Sequence, residues 1–312
     1  MANAVFMRLM VLLAKIETVY ATDPTLTGAS NAILAKNVSL RPMEGDDVAR
    51  GLVRDFLSGE GTIPTGLRVV IEFETELAGS GEAGTPPAWG VLMRGAACAE
   101  VIEADTSVTY QPITDGQESL YFKYWLGGTL HAFAGARGTG VITQNAQNIP
   151  VSRWTFTGLY IAPADVARAT PVFSAYVEPL IVSKTNTPVF TVNAVPLVMR
   201  NFSFNLGNDV QPRLLVNREN ILVVNRAESL DATVEVTPLA TFNPFALAEA
   251  RTKVPVVLVH GLVAGNIITL SAPKCQVKRP AAVTENQGIA ERVLNLAPLP
   301  DTGNDQFSLV LT

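Results

Sequence analysis

Asn37-Val-Ser-Leu40 and Asn201-Phe-Ser-Phe204 open two tellings of one pattern. Each is followed by an acidic turn, Gly45-Asp-Asp-Val48 in the first and Gly207-Asn-Asp-Val210 in the second, and then by Arg50-Gly-Leu-Val53 or Arg213-Leu-Leu-Val216. From Arg50 to Phe73 the two run at a constant offset of 163 residues. This sets Leu67 on Leu230, Ile71 on Val234, Glu72 on Glu235 and Phe73 on Val236 without a gap. A long internal period decides architecture before any single motif does. It makes this chain a tandem of two related units.

The unit itself is built of strands. In Leu67 to Leu77, Leu67, Val69, Ile71 and Phe73 face one way and Arg68, Glu72, Glu74 and Glu76 the other, the period of a half-buried strand. Thr85-Pro86 then offers a hydroxyl cap followed by proline at the first helical position, and Asn243-Pro244 repeats the device in the second copy. After each short helix come two strands around glycines, Ser119 to Phe133 around Gly127-Gly128 and Val254 to Leu270 around Gly261 to Gly265. A last strand follows Ile149 in one copy and Ile289 in the other. Ala162 to Val189, with Pro163, Pro171, Pro179 and Pro188, reads as a connector. The expectation is two mainly antiparallel β domains, each with one flanking helix.

Composition narrows the function. Of 312 residues, 48% are hydrophobic and only 16% charged, so the cores are well supplied and part of the surface is expected to be covered in an assembly. A net charge of −5 argues against gripping nucleic acid by its phosphates. The apolar run Val5 to Ala14 is interrupted by Arg8 and is about half a membrane span, and no small-residue cleavage pattern follows. It reads as an arm that packs on a neighbouring surface, and no membrane partner is expected. Cys98 and Cys275 are too few for a disulfide framework or a cysteine metal site, which points to a reducing compartment.

Candidate chemistry is thin. Val254-Pro-Val-Val-Leu-Val-His-Gly261 imitates the strand and turn before a hydrolase oxyanion hole, but no Gly-x-Ser-x-Gly elbow exists and His131 lies upstream. Gly135-Ala-Arg-Gly-Thr-Gly140 lacks both dinucleotide spacing and the Lys-Ser/Thr of a P-loop, and reads as a turn or bulge. His131 and His260 have no local carboxylate or cysteine cluster. No enzyme, cofactor or metal is expected. One charged pattern remains: Glu72, Glu74 and Glu76 share a strand face, and the second copy keeps Asp231 and Glu235 on the matching face. Such a row suits a water-filled interior that repels a polyanion.

Leu12-Leu-Ala-Lys-Ile-Glu-Thr-Val-Tyr-Ala-Thr-Asp-Pro24, Asn31-Ala-Ile-Leu34, Leu52-Val-Arg54, Arg94-Gly-Ala-Ala-Cys98, Ser107-Val-Thr-Tyr-Gln-Pro112, Leu130 to Gly138, Phe156-Thr-Gly-Leu-Tyr160, Phe202 to Asn208 and Ala272-Pro-Lys274 together resemble the major tail tube proteins of long-tailed, siphovirus-like bacteriophages. The resemblance implies two tandem tail-tube-type antiparallel β-sandwich domains, spanning 33–183 with the connector and 184–312, behind an N-terminal arm of 1–32. It implies a structural virion protein, assembled in the bacterial host cytoplasm, whose sheets join side by side into stacked rings around a channel for genome ejection. Two units per chain then give a homotrimeric, pseudo-hexameric ring, with a homohexamer as the alternative. Glu72, Glu74, Glu76, Asp231 and Glu235 are expected to line the channel, which DNA transits without specific binding. Phe6, Leu9, Leu12, Leu13 and Tyr20 are expected to bridge to the adjacent ring. Tape measure, tail terminator and distal tail proteins are the partners by resemblance. The competing expectation is a tandem β-sandwich adhesion or carbohydrate-binding module. That would call for an exposed aromatic platform, whereas aromatics are only 7% and most sit in strand patterns.

Overall fold

The computed structural model describes Phe6 and residues 9–312, and strand accounts for 52% of it against 6% helix, a mainly antiparallel β protein. Strand β1 (Met10–Ile16) and a single helical turn α1 (Gly28–Asn31) lead into a long hairpin, β2 (Ala35–Ala49) and β3 (Thr62–Glu76). In β3 the expected alternation holds: Val69, Ile71 and Phe73 are buried, and Glu72, Glu74 and Glu76 are on the other face. Helix α2 (Gly90–Gly95) buries Leu92 and Met93. It starts four residues later than Thr85-Pro86 promised, because successive prolines at 86 and 87 hold the residues before them out of the helical region. Thr85 instead closes a turn onto the Glu82 carbonyl, and Trp89 anchors the corner by donating Nε1–H to the Ala78 carbonyl at 2.8 Å.

A hairpin, a three-stranded meander and a short bridge complete the first half: β4 (Cys98–Glu103) with β5 (Ser107–Pro112), then β6 (Leu120–Leu126), β7 (Thr129–Asn145) and β8 (Val151–Tyr160), and the two-residue β9 (Ala164–Asp165). The glycine-rich Gly135–Gly140 stretch lies inside β7. Gly135 has φ +60°, and the β7–β8 register shifts between Ala134 and Arg137, so the glycine makes a bulge rather than a turn.

The second half runs β10 (Val189–Val192), β11 (Val195–Pro196), β12 (Met199–Asn205), the hairpin β13 (Asn208–Leu215) and β14 (Arg218–Arg226), and β15 (Ser229–Glu235). After α3 (Pro244–Ala250) come β16 (Lys253–His260), β17 (Ile268–Val277), β18 (Val283–Asn286), β19 (Ile289–Pro298) and β20 (Ser308–Leu311). Here the proline device works as expected. The Asn243 side chain accepts the Ala246 N–H at 3.0 Å, with Pro244 in the first turn.

The pairings repeat between the halves. The order β1-β6-β7-β8-β3-β2 in the first is matched by β10-β16-β17-β19-β15-β12 in the second. Register fixes which residues correspond. Ser39 faces Glu72 as Ser203 faces Asp231, and the Leu77 and Val236 amides donate to the Pro150 and Ala290 carbonyls in the same way. Glu72 therefore corresponds to Asp231 and Glu76 to Glu235, an offset of 159 residues rather than 163. The gapless alignment slips by four residues because the first hairpin tip is a long loop, residues 50–61, whereas β13 turns into β14 over Val216-Asn217, with Asn217 at φ +64°. A slip of four preserves a period of two, so alternation alone does not reveal it.

Two rows of strands result. One is β2-β3-β8-β7-β12-β15-β19-β18, in which β7 of the first half pairs directly with β12 of the second. The other is β4-β5-β20-β17-β16-β10, in which β20 sits between the halves. Ile71, Phe73, Trp154, Phe204 and Leu230 from the first row and Tyr110, Leu258, Leu270 and Leu309 from the second belong to one buried cluster. That shared core is the sandwich.

Candidate assembly face

The outward face of the first row carries every acidic residue singled out in the sequence. Direct cross-strand partners share a face, and register links Glu76 to Val151, Val151 to Thr143, Thr143 to Ser203 and Ser203 to Asp231. Glu72 and Glu74 lie on the same side of β3, and Glu235 on the same side of β15 as Asp231. The five carboxylates thus stand on one continuous surface that crosses the joint between the halves.

That surface is not simply negative. Glu72 pairs with Arg41 at 2.9 Å and with Arg153 at 3.6 Å, Glu76 with Lys36 at 3.6 Å, and Glu44 with Arg41 at 3.2 Å and Arg68 at 3.7 Å. Glu74 accepts from Asn37 Nδ2 at 2.9 Å. Partial burial raises the Asp231 carboxyl above its ordinary value, opposed by the Lys278 ammonium. The acidic row is thus part of a mixed face, in which bases on β2 and β8 interleave with the acids of β3.

The arm residues divide. Phe6 and Leu9 are exposed, at 66% and 45%, while Leu12 and Leu13 are buried in the chain's own core as part of β1. Tyr20 is held between the halves. Its phenol oxygen accepts the Ile221 N–H at 2.8 Å, and the Arg137 guanidinium lies over its ring at 5.5 Å. Arg137 in turn donates to the carbonyls of Gln117, Glu118 and Ile221. Beside them the buried Glu17 carboxylate accepts from the Ala21 and Gly135 amides and from Ser119 Oγ. Sequence reasoning named only Tyr20 of this node, as a ring-to-ring residue, and assigned no part to Glu17 or Arg137. The node's only local sign is a charged residue, Arg137, set in the glycine-rich stretch.

His131 is partly exposed on β7, while His260 and the two cysteines are packed away. Both His260 nitrogens are occupied, Nδ1 with Thr187 Oγ1 at 2.9 Å and Nε2 with the Leu180 carbonyl at 3.1 Å, and burial lowers its pKa. Burial pushes the Cys98 and Cys275 thiols up to about 12, well out of the range in which a thiolate forms. Among the described residues, no group of three or more His, Cys, Asp or Glu is placed to hold a metal, and no helix is long and apolar enough to cross a membrane.

Among the described residues the first row ends in an unpaired strand edge on each side: β2 begins it and pairs with β3 alone, and β18 ends it and pairs with β19 alone. No curated protein matches this sequence. A family model described as phage tail tube protein matches residues 8–296, nearly the whole chain, and the chain therefore belongs to that family.

Proposed function

We propose that the chain polymerises into stacked rings, three chains to a ring, whose first rows of strands close around the channel through which the phage genome is ejected. Membership makes it a structural protein of the virion tail that assembles into a tube with other tail proteins. The observation that carries the finer reading is the joint between β7 and β12. It sets two copies of the unit side by side in one eight-stranded row and leaves a free strand at each end.

The strand count favours three chains. Twenty-four strands at about 4.8 Å each make a circumference of about 115 Å and a backbone diameter of about 37 Å before strand tilt widens it. Six such chains would double that and leave a channel far wider than a DNA duplex needs. The two units are 33–183 and 184–312, with β1 completing the first as β10 completes the second. The channel face carries Glu72, Glu74, Glu76, Asp231 and Glu235 among Lys36, Arg41, Arg68 and Arg153. It is hydrated and close to neutral locally, so DNA slides past without the counterion release that a basic wall would drive. The arm of residues 1–32 reaches the adjacent ring through Phe6 and Leu9, since Leu12 and Leu13 are already used inside the chain. The protein has no catalytic role, assembles in the host cytoplasm, and meets tape measure, tail terminator and distal tail proteins along and at the ends of the tube.

Electron microscopy of the purified protein tests this. Hollow tubes with three chains per ring are expected. Six chains per ring would overturn the trimer, and discrete monomers at high concentration would overturn polymerisation and favour a binding module.

A further inference from the structure

We infer that β18 of one chain adds to the free edge of β2 of the next chain, antiparallel, with Thr284 opposite Ser39 and Val283 opposite Leu40. This rests on the reading that chains assemble into rings, and it specifies the edges and the register by which they do so.

The argument is that the chain already contains this contact once. Within it, the end of β7 pairs with β12: Thr143 with Ser203 and Ile142 with Phe204. Each of these strands has a counterpart. β12 corresponds to β2, with Ser203 matching Ser39, and both strands carry a bulge just before that serine, between Met199 and Asn201 or between Lys36 and Ser39. The end of β7 corresponds to β18, because Ile142 and Thr143 face Ser152 and Val151 of β8 as Val283 and Thr284 face Arg292 and Glu291 of β19. Swapping each strand for its counterpart turns the internal joint into a contact between chains. Side-chain character survives the exchange: a threonine meets a serine in both, and an apolar residue meets an apolar one in both.

Exposure agrees. In the internal joint Ile142 and Phe204 are 3% and 0% exposed, whereas Val283 is 48% exposed and Leu40 is half-buried. The counterparts of a closed contact are open in the single chain. Among the described residues no strand covers the outer side of β2, an edge of the kind that folded proteins cover or blunt. The two complementary edges lie at opposite ends of the row, so the contact is heterologous and closes only as a ring.

Paired cysteines test the register. In Ser39→Cys with Thr284→Cys and in Leu40→Cys with Val283→Cys, one pair falls at a non-hydrogen-bonded position, where Cβ atoms approach closely enough for a disulfide. Native Cys98 and Cys275 are buried and stay out of the reaction. Oxidised tubes should yield covalently linked chains up to a closed trimer from at least one matched pair, and none from Ser39→Cys with Glu285→Cys, whose side chains lie on opposite faces. Tubes that form but cross-link in neither matched pair, or equally in the offset pair, would overturn the register while leaving ring assembly intact. Failure of the unsubstituted protein to form rings at all would remove both. As a second measure, Val283→Lys places a charge on a residue exposed in the single chain. It should leave thermal unfolding of the monomer unchanged and raise the concentration needed for tubes at least tenfold; tube formation at the original concentration would overturn the proposal.

Discussion

The Tyr20 phenol oxygen accepts the Ile221 backbone N–H at 2.8 Å, a bond that ties the N-terminal segment to the β13–β14 hairpin 201 positions along the chain. Tyr20→Phe keeps the ring beneath Arg137 but leaves that amide without its partner. An orphaned, partly buried donor costs about 1–3 kcal/mol. The loss should appear as a lower denaturant midpoint of the unassembled chain. An unchanged midpoint with impaired tubes would return Tyr20 to the ring-to-ring role expected from its sequence position.

Gly135 sits against the same tyrosine. A Cβ there would meet Tyr20 Oη at 2.5 Å, and φ is +60°. Gly135→Ala should therefore lose about 1–2 kcal/mol from backbone conformation alone, and more from the clash. In a Tyr20→Ala background the clash is gone, so the two substitutions should cost less together than their separate effects imply, read from a double-mutant cycle in urea.

His260 gives the fold an acid-side sensitivity. Burial holds its pKa below the ordinary 6.5, so between the two values the unfolded chain binds a proton that the folded chain refuses. The stability tied to this group is complete above about pH 6.5 and drains away as pH falls through the folded value. Melting temperatures measured from pH 7.5 to pH 5 should decline for the parent chain, and the decline should be shallower for His260→Gln.

The two proline devices separate by experiment. Asn243→Ala removes a helix cap and should cost about 1 kcal/mol. Thr85→Ala alters an exposed turn residue and should stay within about 0.5 kcal/mol. Equal effects in thermal melts would contradict the displaced start of α2.

Local signals were legible. The alternation through Phe73, the Asn243 cap and the hairpins around Gly127-Gly128 and Gly261 to Gly265 all depend on neighbours within a turn or a strand, and the chain spells them out. The repeat was legible too, but its register was not. Glu72 corresponds to Asp231 because a long tip in one hairpin became a two-residue turn in the other, and alternation is blind to an even slip. Long-range facts were hidden for the same kind of reason. Nothing near Leu12 says that β6 will cover it, and nothing near Glu72 says that Arg153 will sit opposite, since both depend on strands far along the chain.

The unequal hairpin tips carry a further consequence. One ends in a twelve-residue loop bearing the exposed Val53, Phe56 and Leu57, and the other in a two-residue turn at Val216-Asn217. Six identical units would let a stacking ring settle in any of six rotational positions. In the proposed three-chain ring long and short tips would alternate around the rim, and a third of a turn would be the smallest rotation that brings like onto like. Tips so arranged would act as keys, each added ring taking its angular setting from the one beneath it.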